Sequence, residues 1–288
     1  MAAVDHSVAL SSFASSWTLD PGPLTAAAVG LALFAQAFVR LRRRGRADHA
    51  PWSRAVLFGL GVAVSVLPLV SPLDTIADSY LISAHMFEHV LLGDAGPALM
   101  VTAVRGPLAV FLLPGPVLRP IAHSHAVRGV LRFLLRPRVS LAAWILAMGT
   151  WHIPAAYDYT LTHQLVHDFE HVTFAIVGTL IWMQLVDPTH HHRLSVPQRL
   201  VFALVVFAAG QLLSDVFIFT LHPLYAAYAE QPARVLGLGP MLDQRLAGLV
   251  MMAEQTISLG ICAVLLLRQI RRPAGRRPHS RRAVRTTA

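Results

Sequence analysis

Seven mostly apolar stretches, each near the length a helix needs to cross a bilayer, leave this chain few ways to fold. A helix rising 1.5 Å per residue needs about 20 apolar residues to span the hydrocarbon core. Residues 22–40, 53–71, 80–104, 139–156, 164–186, 198–220 and 245–268 approach that length. Backbone polar groups in hydrocarbon must bond within their own segment, which selects helices. The expected fold is all-α, a seven-transmembrane-helix bundle over 22–268. The stretch 107–118 is too short to cross and holds Pro107, Pro114 and Pro116. With the arginines that follow, it reads as part of a cytoplasmic interfacial segment, 105–138.

Arginine sets the orientation. All 24 basic residues are Arg, and only 14% of the chain is charged, against about a quarter in a soluble domain. The arginines gather in alternate connections: Arg40 to Arg54, Arg105 to Arg138, Arg193 with Arg199, and eight from Arg268 onward. The opposite side has only Arg234 and Arg245, beside Asp74, Asp78, Asp158, Glu230 and Asp243. The positive-inside rule then puts residues 1–21 outside and the basic tail, 269–288, in the cytoplasm of a multi-pass plasma-membrane protein. That tail reads as disordered and lying against anionic lipid. Blocks of this kind argue against a nucleic-acid partner. Residues 1–20 lack the basic start of a cleavable signal, and the lone Cys262 gives neither a disulfide nor a Cys pair for metal.

The chemistry is concentrated in histidine. His85 and His89 lie in the third stretch; His163, His167 and His171 lie at the outer end of the fifth. Residues four apart share a helix face, so each set forms a stripe, and two neutral imidazoles one turn apart can share a metal. A carboxylate sits in each: His85-Met86-Phe87-Glu88-His89 and His167-Asp168-Phe169-Glu170-His171. The same His-x-x-Glu-His pattern on two helices entering from one side predicts that the stripes face each other. His152, in Trp151-His152-Ile153-Pro154, and His222 close neighbouring spans on that side. A lone membrane histidine is more often a hydrogen-bonding group between helices; five at one depth favour metal or haem. Met86 and Met251 are soft thioethers at the same level, suited to Cu(I) or simply packed in lipid. Asp94, Asp215 and Glu254 lie within spans and leave two readings open, an ion or proton route or bonding between helices. Trp144 and Trp182 read as packing aromatics. His190-His191-His192 reads as solvated loop.

At these residues the chain resembles the CtaG family of the caa3 type, membrane proteins associated with assembly of cytochrome c oxidase. The resemblance rests on His85-Met86-x-x-His89 with Leu91-Leu92 and Pro97, and on Trp151-His152-x-Pro154-x-x-Tyr157-Asp158. It continues in His167-x-x-Glu170-His171 and Asp243-Gln244-x-x-Ala247-Gly248-x-x-Met251. It covers about residues 55 to 268. Glu88 stands where an amide is commoner in the family, and Met252 where an aromatic is. The resemblance implies a non-enzymatic factor that handles copper for the oxidase, with oxidase subunits or other copper chaperones as partners. Carried over, the shared positions are His85, His89, His152, His167, His171 and Glu170, with Asp243, Gln244 and Met251 in undefined roles. Glu88, His163, His222, Met86 and Asp215 are further candidates. Zinc and haem remain as alternatives, because His-x-x-Glu-His is also a metallopeptidase pattern and facing histidines can hold a b-type haem.

Overall fold

The computed structural model describes residues 6–189 and 193–271. It is all-α and about 80% helical. The long helices are α1 (Pro21–Arg43) and α2 (Trp52–Val70), then, after several shorter ones, α11 (Gln164–Val186), α12 (Val196–Phe219) and α14 (Pro240–Arg271). Among the described residues these five are long and apolar enough to cross a membrane. A bent pair, α9 (Pro137–Trp151) with α10 (Pro154–Thr160), makes a sixth. Their outward faces are apolar, with Leu146, Leu212 and Phe219 all exposed, the pattern of a bundle solvated by lipid.

Local sequence explains the ends. Asp20 caps α1, accepting from the Gly22 N–H at 2.8 Å, and Arg40, Arg42 and Arg43 fill its last turn, where positive charge suits the helix dipole. Ser195 and Gln198 form a reciprocal capping box on α12.

Two of the expected spans are interrupted. Residues 82–103 are helical throughout, but as α4 (Ile82–Val90), a π turn (Leu91–Ala95) and α5 (Gly96–Ala103). Pro97 has no N–H for the Gly93 carbonyl four residues back, so the register slips there. The freed carbonyl of Gly93 packs against Gly178 of α11, where a Cβ would overlap it. The stretch 139–156 stops at Trp151 and turns by 78° into α10, because Pro154 forces Ile153 into extended geometry (φ −66°, ψ 125°).

Residues 105–138 form the short helices α6 (Pro107–Phe111), α7 (Gly115–His123) and α8 (His125–Leu134). In α8, Val130, Leu131 and Phe133 are exposed beside Arg128 and Arg132. The remaining helices are α3 (Pro72–Ser79), between α2 and α4, and α13 (Ala226–Ala229), between α12 and α14. A small parallel pairing of β1 (His6–Val8) with β2 (Ala233–Val235) ties the N-terminal segment to the loop before α14. Sequence periodicity gives no sign of it, since three residues carry no pattern. His190-His191-His192 and residues 272–288, including most of the basic tail, lie outside the described residues.

The core has separate parts. Trp144, Ile181, Trp182, Phe202, Val206 and Leu259 join α9, α11, α12 and α14. Phe34, Phe38, Phe58, Val62 and Ala103 join α1, α2 and α5. A third cluster of Ile82, Met86, Tyr157, Phe217, Tyr225 and Met251 packs around the histidine-bearing end of α4.

Candidate metal centre

The facing stripes are there. His85 and His89 of α4 meet His167 and His171 of α11, and one ligand atom from each lies within 4.8 Å of all the others. The Nε2 atoms of His85 and His89 are 2.9 Å apart. Ring centroids are 4.3 Å apart for His85–His89, 4.2 Å for His167–His171 and 5.3 Å for His89–His171. Four nitrogens around one ion at about 2.05 Å would stand about 3.3 Å apart, a value between the 2.9 Å of the His85–His89 nitrogens and the 4.8 Å that encloses all four ligand atoms. His85, His89 and His167 are buried. The Nε2 atoms of His167 and His171 and the Nδ1 of His89 have no hydrogen-bond partner. Buried imidazole nitrogens without partners are costly, and a cation accepting their lone pairs would satisfy them.

His152 is the fifth member. Its ring lies 6.4 Å from that of His89, outside the four-histidine group. Its Nδ1 is 2.8 Å from the Met148 carbonyl, an acceptor only, so Nδ1 carries the proton and Nε2 is a bare lone pair. That Nε2 is buried and unpartnered. The break at Pro154 is what frees the end of α9 to present it.

Three candidates lie elsewhere. His163 is the N-cap of α11, with φ −134° and ψ 90°, so it leaves the helical stripe. It is exposed, stacked on Tyr159 at 3.7 Å. His222 is exposed in the loop after α12, and the half-buried Asp215 is outside both groups of potential ligands. Met86 and Met251 are packed in that third apolar cluster.

The acids fall in different places. Glu170 is fully buried, its Oε1 3.9 Å from His89 Nε2, and neither oxygen is hydrogen-bonded. Glu88 groups instead with His85 and with Asp78, a residue sequence reasoning passed over. Asp78 Oδ1 lies 3.5 Å from His85 Nδ1 and 3.8 Å from His167 Nε2, so it touches both helices. Burial disfavours its charge, but His85 and His167 outweigh that and hold its carboxyl below the ordinary value. On the same short helix, burial and then the charges of Asp78 and Asp20 push Asp74 up to about 7.

The loop between α12 and α14 roofs the site. Tyr228 donates to the Ala77 carbonyl at 2.7 Å and contacts His85 Nδ1 at 3.3 Å and the Tyr157 hydroxyl at 3.1 Å. Tyr225 donates to the His152 carbonyl at 3.0 Å, and Asp158 accepts from the Ala226 N–H. Asp243 and Gln244 acquire definite roles. Asp243 caps α4, accepting from Ile82 N–H at 2.8 Å and Ser83 N–H at 3.1 Å. Gln244 accepts from Leu224 N–H at 2.7 Å. None of these tyrosine or cap contacts has a local sequence signal, since the partners are 71 to 161 residues apart.

With this geometry in view, the comparison with known families becomes specific. Residues 32–273 match the family model of the cytochrome c oxidase caa3 assembly factor. The chain belongs to that family. The match runs from the middle of α1 to the end of α14 and so includes every histidine of the centre. No curated relative and no solved structure matches it. It is therefore a multi-pass membrane protein of an oxidase-assembly family, carrying a group of four histidines, three of them buried.

Proposed function

We propose that this chain binds copper through His85, His89, His167 and His171 and delivers it to a cytochrome c oxidase subunit or to another copper chaperone. The observation that carries the reading is the convergence of four imidazoles from two helices in one largely buried cluster, with unpartnered nitrogens on His89, His167 and His171. Neutral imidazoles suit copper among the first-row metals, and a set of exchangeable nitrogens suits release. His152, a bare Nε2 beside His89, is the ligand onto which the ion moves when it leaves. Asp78 faces the Nδ1 of His85 and orients that ring, as carboxylates commonly do behind metal-bound histidines, and the Tyr228 hydroxyl contacts the same nitrogen.

In this reading the chain crosses the plasma membrane seven times, residues 82–103 and the bent α9–α10 pair being spans. Its N-terminus and histidine centre are outside, and its arginine-rich connections and tail lie against cytoplasmic lipid. It acts as a carrier and not an enzyme. A metallopeptidase needs an open position for substrate and a carboxylate with access to water; Glu170 is fully buried behind His89. A haem needs one imidazole on each face, whereas each helix here offers two rings side by side.

The test is anaerobic purification followed by metal analysis of wild type and of the double variant His85→Ala, His171→Ala. Copper near one ion per chain should be lost in the variant. Unchanged copper content would end the reading.

A further inference from the structure

The π turn between α4 and α5 holds an ionisable group that the histidine centre does not use. Asp94 accepts from the Trp182 indole N–H and from the Ser258 hydroxyl at 2.9 Å, and it is hydrogen-bonded to the carboxyl of Glu254 on α14. Trp182 is thus a polar partner as well as a packing aromatic. One oxygen of Glu254 has no partner, and neither has the carbonyl oxygen of Gln255. A cavity of about 320 Å³ is lined by both residues, by Asp94, and by His89 and His152 with their unpartnered nitrogens. The rest of its wall is apolar.

Charge is the problem this arrangement poses. Two carboxyls in contact at membrane depth cannot both ionise without a cation, and a hydrogen bond between them requires a proton. Among the described residues no ion pair reaches Asp94 or Glu254. The basic groups facing them are His89 from α4 and His152 from the end of α9; α5, α11 and α12 put no charged side chain into the cavity. Arg105 and Arg199 approach Cys262, two turns further along α14. The cavity residues also do not gather three ligand atoms at one point, as the four-histidine group does. Neutrality of the pair therefore takes two protons, one for each carboxyl.

We propose that Asp94 and Glu254 form a proton-binding site, joined to the histidine centre by the cavity, that gives up one proton for each copper(I) ion bound. This rests on the copper reading above. The balance is simple: the ion adds one positive charge, the O–H bond on the free oxygen of Glu254 breaks, and the proton leaves to water. The pair is left with one shared proton and one negative charge that offsets the ion.

The experiment measures proton release when Cu(I) is added to purified protein in weak buffer at about pH 8. The imidazoles, with ordinary values of about 6.5, are already neutral there and have no protons to give. Wild type should release about one proton per ion bound. Glu254→Gln should bind the same amount of copper and release almost none. Infrared difference spectra of wild type alone give a second measure, since copper should remove the carbonyl stretch of a protonated carboxyl. Copper binding by wild type with no proton released and no infrared change would overturn the proton site and leave the copper reading intact. Equal release from Glu254→Gln would overturn it too. Failure of wild type to bind copper would remove the copper reading itself.

Discussion

Replacing Asp243 tests whether a cap supplied from 161 residues away holds the metal centre in place. Asp243 is 2% exposed and takes three donors at the start of α4: the N–H groups of Ile82 and Ser83, and the Ser83 hydroxyl. An exposed N-cap is worth about 1 kcal/mol. Here the Ile82 donor is buried and costs about 1–3 kcal/mol if left without an acceptor, while the half-buried Ser83 donor costs about 1 kcal/mol. Asp243→Ala should therefore destabilise by about 2–4 kcal/mol. Asp243→Asn keeps one acceptor oxygen and should lose about half of that. The consequence for function follows from position, because His85 is three residues after Ile82 and a frayed first turn would move its ring. Unfolding in mixed detergent micelles gives the free energies, and a Cu(I) competition titration of the still-folded fraction gives the affinity. If Asp243→Ala unfolds within about 0.5 kcal/mol of wild type, the cap is not what orders α4.

Asp78→Asn should weaken Cu(I) binding by about 10- to 100-fold without changing the stoichiometry, because it removes the carboxylate behind His85; an unchanged affinity in the same titration would refute that role. Gly178→Ala should cost about 1–3 kcal/mol, since its Cβ would overlap the Gly93 carbonyl and push α11 from the π turn. Asp74 supplies a pH dependence. Its carboxyl is raised from 3.8 to about 7 in the fold, so the native state holds the proton more tightly than the unfolded chain. Stability is lost as pH rises from about 4 through about 7, and Asp74→Asn should stabilise the protein at pH 8 but not at pH 4. Denaturation curves at the two pH values check the sign.

The parts legible in sequence were those repeated at helical spacing. His85 with His89 and His167 with His171 are one turn apart on straight helices, so the stripes and their facing followed directly. His163 kept the spacing but not the helix: it is the residue at which α11 begins, and its extended backbone turns the ring to solvent. Asp78 was hidden for the opposite reason. It belongs to a separate short helix, and the break at Tyr80–Leu81 destroys any periodic relation to His85. Tyr157, Tyr225 and Tyr228 reach the site through tertiary folding of a loop, which hydropathy cannot see. Asp94 and Glu254 were visible as costly acids, but their pairing depends on a one-residue slip at the π turn. Pro97 announces an interruption there and not its geometry.

On the copper reading proposed above, the chain must bind its ion well enough to hold it and loosely enough to give it up, and the surroundings of the four histidines bear on both. Four neutral imidazoles leave the full charge of the ion uncompensated within the first ring of atoms. The carboxyl groups are held back: Asp78 at 3.5–3.8 Å from two ring nitrogens, and the buried Glu170 at 3.9 Å from a third. The charge of Asp78 at that distance stabilises the ion without becoming a hard ligand. Nearer His152 the next compensating charge is the Asp94–Glu254 pair across the cavity, available only once a proton has gone. The order of ligands and charges along α4, from Asp78 before it through His85 and His89 to Asp94 after it, gives the ion a direction, and removing the free carboxyl of Glu254 should leave copper bound but slower to depart.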